Sequence, residues 1–369
     1  MKDTPNTMKQ SRFQKTAKNA FSVQSSAVLL GLSIPAVLTH AAGVSREGWL
    51  SGFAWAILAA LAGCITSTVL NWVPLMNTAV PERSTWTRAI AAGFLLALAL
   101  YFQGLALSSP LWSPFVTLSF VFIPWARQLW RDVFGVEALW GFRARMSSFL
   151  LLAAAILFLY PEFLSFAQRR ELSLISRDPV RDLQNALLAL PRCLSFMSAL
   201  LFGAASSLLR PQDRSIPSLT FWSIPVAVAA IVLSLSGWLA LHVLGERSSF
   251  MGQFHALPNP RLMAMTPAFL FGTVFLALRP HIQVKNALRS GFETSSWWQS
   301  LGLAAGAALS LMIFAPVQVH MTDPLACFSL LLGQFVCLRL KQSSVTFAPV
   351  LSVLTSTDAD LPRAHSQGN

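Results

Sequence analysis

The sequence predicts an all-α protein, a polytopic membrane helical bundle of about ten transmembrane helices, and three observations carry that prediction. Hydrophobic residues make up 54% of the chain and charged residues 11%, with a mean hydropathy of +0.56. A water-exposed surface would need about twice that charge. Apolar runs recur from Ser26 to Leu340, and a bilayer core demands roughly 20 apolar residues per helix. The interruptions between them are short and mostly basic.

The runs lie near 26–43, 50–73, 88–107, 111–126, 147–166, 192–209, 217–243, 262–278, 297–316 and 324–340. Residues 1–25 form a basic arm with Lys2, Lys9, Arg12, Lys15 and Lys18. The arm, the apolar stretch from Ala27 to Leu38 and the small residues Ala41 and Ala42 imitate a cleavable signal peptide. The basic region is long for one, so an uncleaved first helix is expected. The second run carries Thr66, Ser67, Thr68 and Asn71, with Ser67 and Asn71 four apart on one helical face. The third contains Tyr101 and Gln103. The fourth and eighth are short and hold Pro114, Pro124 and Pro267, which predicts kinked or tilted helices. Trp238 and His242 stand four apart in the seventh, Gly302 and Gly306 form a GxxxG pair in the ninth, and Gln334 lies in the tenth. Arg279, before Pro280, is expected to snorkel to the inner interface.

Basic loops are held on the cytoplasmic side, and this orients the bundle. The arm starts inside. Alternation then gathers Arg83 and Arg88, Arg127, Arg131, Arg143 and Arg145, Arg210 and Arg214, Arg279, Lys285 and Arg289, and Arg339, Lys341 and Arg363 on that same side. Both termini are thus expected in the cytoplasm, with the protein in the cell inner membrane. Residues 167–191 depart from the rule, because Arg169, Arg170, Arg177 and Arg181 fall outside. Either a loop already oriented by its neighbours tolerates them, offset by Glu171, Asp178 and Asp182, or a short amphipathic helix after Pro179 meets anionic head groups or an acidic substrate. The chain therefore divides into the arm (1–25), a first transmembrane half (26–166), this loop (167–191), a second half (192–340) and a polar tail (341–369).

The formal net charge of +12 sits mostly in inward-facing loops. It is a topology signal, and no compact basic domain is present to grip nucleic acid. Cys64, Cys193, Cys327 and Cys337 lie within or beside apolar runs and lack metal-type spacing, so buried thiols are expected. There is no His-Glu-x-x-His, and no Asp or Glu falls in the middle of a run; Glu162, Glu246 and Asp323 lie at the ends. Neither a metal nor a cofactor is called for, and a buried-carboxylate proton relay or an intramembrane aspartyl protease is disfavoured. What remains is a sparse set of uncharged polar and aromatic groups. Ser67, Asn71, Tyr101, Gln103, Trp238 and Gln334 are the candidate substrate-binding residues for a small, partly apolar organic solute, although the same groups also stitch helices together.

Ten helices permit a five-plus-five division in which the second half is inverted. The run from Leu98 through Tyr101, Gln103 and Gly104 to Ser109, a short turn, Ser119 to Pro124, and a basic loop with Gly135 and Glu137 resemble the third to fifth helices of EamA-like drug/metabolite transporter permeases. Ala199 to Arg210, with Gly203, is similar to that family's sixth helix. The resemblance covers roughly a third of the chain. It departs where the family's Gly-Glu is spaced as Gly135-Val136-Glu137, where Gly245-Glu246 ends the seventh run instead, and where the first helix lacks a Trp-Gly centre. It implies a permease working by alternating access, and carries over no functional residue. Two rivals stand beside it. One is a membrane enzyme on lipid-linked sugars or acyl groups, motivated by the arginines of 167–191. The other is a non-catalytic membrane subunit.

Overall fold

The computed structural model describes residues 5–76, 83–133, 142–170, 188–208, 218–244, 259–283, 292–314 and 322–336. Among them every regular element is helical. In chain order they are α1 (Pro5–Arg46), α2 (Gly52–Met76), α3 (Arg83–Leu107), a 3₁₀ segment (Pro114–Phe122) running into α4 (Ile123–Val133), α5 (Phe142–Arg170), α6 (Pro191–Leu208), α7 (Ser218–Leu244), α8 (Asn259–Phe271) continued by a π-helical segment (Gly272–Leu278), α9 (Phe292–Phe314) and α10 (Thr322–Val336). Five stretches are long and apolar enough to cross a membrane: Phe21–Arg46, Gly52–Trp72, Thr85–Leu107, Trp222–Ala240 and Met263–Gln283. Pro114–Arg127, Ser148–Leu164 and Thr322–Val336 are apolar but shorter. The protein is thus a multi-pass membrane protein, and its outer shell of exposed Leu29, Ile65, Phe94, Ile156, Ile231 and Met312 suits lipid rather than water.

Most of the basic arm is helical, since α1 starts at Pro5 and runs through Pro35 into the apolar stretch without a break. It ends in a Schellman motif. Trp49 N–H donates to Val44 O (3.3 Å), Gly48 N–H donates to Ser45 O (3.2 Å), and Gly48 takes the left-handed φ of 74° that the motif requires. The chain then turns at once into α2, whose first residue Gly52 lies back to back with Gly104 of α3; a side chain on either would overlap the other's backbone.

The two short proline-bearing runs depart from α geometry in opposite directions. Pro124 has no N–H for Phe120 O, and Ile123 N–H takes that carbonyl instead, one residue earlier, which is the tighter 3₁₀ pattern. Eight of the nine 3₁₀ residues are buried, so this segment sits inside the bundle. In the eighth run the helix widens. Arg279 N–H bonds back to Val274 O across five residues, and the Trp222 indole donates to Leu276 O (2.7 Å). Phe271 and Phe275 stack at 4.9 Å beside Phe120, Phe202 and Trp55, giving the core an aromatic centre.

Packing is mostly between elements far apart in sequence. α1 lies on α9, α4 and the 3₁₀ segment on α6, α3 on α6 and α7, and α2 on α7 and on α8 with its π segment. The Gly302–Gly306 face packs inside the chain, with Gly302 against Val28 and Gly31 of α1 and Gly306 against Leu32 and Pro35. The residue 167–191 loop lies largely outside the described residues, including Arg177 and Arg181, and so does the 341–369 tail.

Candidate functional site

Helix α6 carries the polar interior. Arg192, Ser195 and Ser198 recur every three residues and so share one face; all three are buried. Pro191 opens the helix, where a missing N–H costs nothing. Glu162 of α5 caps it, accepting from Arg192 N–H and from Cys193 N–H (2.9 Å), so a carboxylate meets the positive end of the helix dipole. The Arg192 side chain then reaches Asp323, the second residue of α10, through Nη1–Oδ1 (2.5 Å) and Nη2–Oδ2 (3.1 Å). It also donates to Phe158 O (3.1 Å) and lies 5.6 Å from the Phe158 ring centroid. A fork–fork pair this enclosed leaves little of either charge unsatisfied. It locks α5, α6 and α10 together at one end of the bundle.

One turn deeper the chemistry becomes neutral. Ser195 Oγ–H donates to Gln103 Oε1 (3.0 Å). With that proton committed, the 2.5 Å contact between Ser119 and Ser195 is a bond donated by Ser119. Ser198 Oγ donates to Ala99 O (2.8 Å). The amide nitrogen of Gln103, a residue with no exposed surface, meets no acceptor among the described residues. A buried amide donor left without a partner costs about 1–3 kcal/mol, and this nitrogen shares that state with other buried polar atoms such as Trp55 Nε1.

The six residues expected to bind solute separate in space. Gln103 belongs to the cluster just described. Gln334 donates to Val121 O (2.7 Å) and thereby buttresses the 3₁₀ segment that also presents Ser119. Tyr101, half-buried, packs edge-on against Phe53 at 5.7 Å. Ser67 and Asn71 are buried on α2, where the Asn71 amide donates to Ser67 O (2.8 Å). Trp238 is 59% exposed on the outward face of α7 and stacks on His242 at 4.2 Å, as a lipid-facing anchor would. The sequence reading passed over Arg192 and treated Glu162 and Asp323 as helix-end residues. The available signal was that Arg192 and Asp323 sit at the edges of apolar runs beside Pro191 and Pro324, and Glu162 beside Pro161; the structure places Glu162 within α5, which continues to Arg170, and brings it against the first turn of α6.

The opposite end of the bundle is basic. Arg127 backbone N lies against Gly203, Phe202 packs on Phe275 at 5.1 Å, and the Arg279 guanidinium sits 4.5 Å over the Phe275 ring. Arg279 does not simply snorkel: it also donates to Gln299 Oε1 (3.4 Å), which Gln283 shares (3.0 Å). Among the described residues no group of three metal-ligating side chains occurs. Ser195 stands with the Ser119 hydroxyl, the Gln103 amide and the Val116 carbonyl, an arrangement suited to holding a polar group. No protein-family model and no curated protein matches the sequence.

Proposed function

We propose that the protein is a permease of the cell inner membrane that moves a small organic metabolite by alternating access between two inverted five-helix halves, both termini being cytoplasmic. The observation that carries this reading is the exchange relation in the helix packing. Adding five to a first-half helix and subtracting five from a second-half helix turns α1–α9 into α6–α4, α3–α6 into α8–α1, and α3–α7 into α8–α2; α2–α7 and the 3₁₀–α9 contact map onto themselves. Four closely packed glycines follow the same rule, while the Gly52–Gly104 contact of α2 and α3 stands outside it. Gly31 approaches Gln299 and Gly302 across α1–α9, and Gly203 approaches Ala126 across α6–α4. Gly93 meets Val228 across α3–α7, and Gly272 meets Ala59 across α8–α2. A pattern of this kind is what an inverted repeat produces, and such repeats hold their solute near the bilayer midplane between the halves.

Within that frame the substrate contact is the Ser119–Ser195–Gln103 cluster, one member from α3, one from the 3₁₀ segment and one from α6 across the halves. Its free amide donor calls for a carbonyl, hydroxyl or carboxyl oxygen on an otherwise apolar solute. The resemblance to drug/metabolite transporter permeases agrees with this reading. Flux of a labelled metabolite panel into vesicles containing the purified protein tests it. Saturable uptake of at least one solute is expected; none, with a control permease active, overturns it.

A further inference from the structure

The basic end of the bundle holds a cation that no carboxylate among the described residues neutralises. Arg279 follows the π-helical segment directly, and its N–H bond to Val274 O sets it on the last widened turn, inside the Met263–Gln283 span. The guanidinium folds back over Phe275, 4.5 Å from the ring centroid, so an aromatic face covers one side of it. Of its N–H donors only Nε is engaged, by Gln299 Oε1 at 3.4 Å. Neither Nη nitrogen meets an acceptor among the described residues, and both keep open surface. Gln299 is 4% exposed. Arginine can only donate, so the Gln299 carbonyl oxygen is the atom that faces Arg279, and it also accepts from Gln283 Nε2 (3.0 Å). The Gln299 amide nitrogen is left donating to no described residue. His281, two residues on, is taken up by Ala277 O (3.1 Å).

A charge carried into a membrane span is costly and is normally met by a counter-charge. The Arg192–Asp323 pair obeys that rule at the opposite end, but Arg279 has no ion-pair partner among the described residues. What stands near it is a second cation. Arg127 of α4 lies against Gly203, beside the Phe202 that packs on Phe275, and its positive charge opposes that of Arg279. An anion bound there would turn this repulsion into attraction. The paired Nη nitrogens of a guanidinium match two oxygens of one carboxylate or phosphate, and the Gln299 amide adds a neutral donor. We propose that Arg279, aided by Gln299, binds an oxyanion, a carboxylate or phosphate gripped by the Nη pair. Two sources present that group, a soluble organic acid or phosphate and the head group of an anionic lipid. The inference stands apart from the permease reading, since it uses none of the α6 cluster and requires no flux.

The test is equilibrium dialysis of the full chain, in the uncharged detergent dodecyl maltoside, against labelled benzoate and labelled inorganic phosphate. Saturable binding of at least one probe is expected. It should weaken roughly tenfold or more in R279Q and less in R279K, whose ammonium keeps the charge but loses the fork. R46Q, at an exposed arginine at the other end of the bundle, should bind as the native chain does. Q299E places a carboxylate on Arg279 from within the protein, so it should raise the thermal midpoint and abolish binding of both probes. If neither probe binds the native chain, replacing phosphatidylcholine by phosphatidylglycerol in nanodiscs should raise the native midpoint and leave R279Q and Q299E unmoved, which assigns the oxyanion to lipid. Absence of both probe binding and the lipid effect overturns the proposal, as does binding of equal strength in R279Q or a Q299E protein that melts below the native chain.

Discussion

Arg192 grips both carboxylate oxygens of Asp323 at 2.5 and 3.1 Å, across 131 residues of sequence, with 7% and 2% of the two side chains exposed. Removing one partner leaves the other charge buried without its fork–fork counterpart. R192Q or D323N should each lower stability by about 3–5 kcal/mol, whereas the R192Q/D323N double variant should lose much less than the sum. Unfolding midpoints of the four proteins in detergent provide the cycle; additive losses would show the pair to be uncoupled.

Glu162 acts at a different point, on two backbone N–H groups of α6. E162A should cost about 1–2 kcal/mol, and E162Q less, because the amide keeps one acceptor. Hydrogen exchange at residues 192–195 should quicken in E162A while exchange in α2 stays unchanged. Uniform quickening would assign Glu162 a global rather than a capping role.

Glycine substitutions separate crowded from open positions. G203V would drive a side chain into Ala126 and the Arg127 backbone, and G31V into Gln299 and Leu303, so both should yield little monodisperse protein. Gly43 has nothing within 4 Å of an added Cβ, and G43A should purify and melt as the native chain does. Size-exclusion profiles settle the comparison, and a well-behaved G203V would mean that α4 and α6 can separate freely.

If the α6 cluster holds the solute, Q103L should abolish saturable flux while shifting the melting temperature little, because the lost bond to Ser195 is offset by removal of a buried amide donor that has no acceptor. W238A, on the lipid face of α7, should leave flux within about twofold of native, a difference of under 0.5 kcal/mol in transition-state terms. A W238A protein that folds but carries no solute would move the site to the outer face.

The helices were legible because lipid imposes a length on each apolar run, and runs near 50–73 and 88–107 emerge as Gly52–Trp72 and Thr85–Leu107. Gln103 could be found as an isolated amide in apolar sequence. Its partners could not, since Ser195 lies 92 residues away and ordinary serines on other helices look the same. The Arg192–Asp323 pair was hidden for a related reason: each residue stands at the end of a run, where charge is usually solvated. The proline content announced irregular fourth and eighth helices, but whether a helix tightens or widens depends on which neighbour takes the freed carbonyl, as Ile123 does for Phe120 and Trp222 for Leu276.

The tightened backbone from Pro114 to Phe122 also changes what its stretch of chain can reach. At about 2.0 Å per residue, nine residues of 3₁₀ helix advance about 18 Å, against about 13.5 Å in α form. With the following turn to Arg127, the fourteen residues Pro114–Arg127 extend about 25 Å instead of about 21 Å, most of the way through a hydrocarbon layer of about 30 Å. A stretch too brief to traverse oil as an ordinary helix is drawn out into one that nearly does.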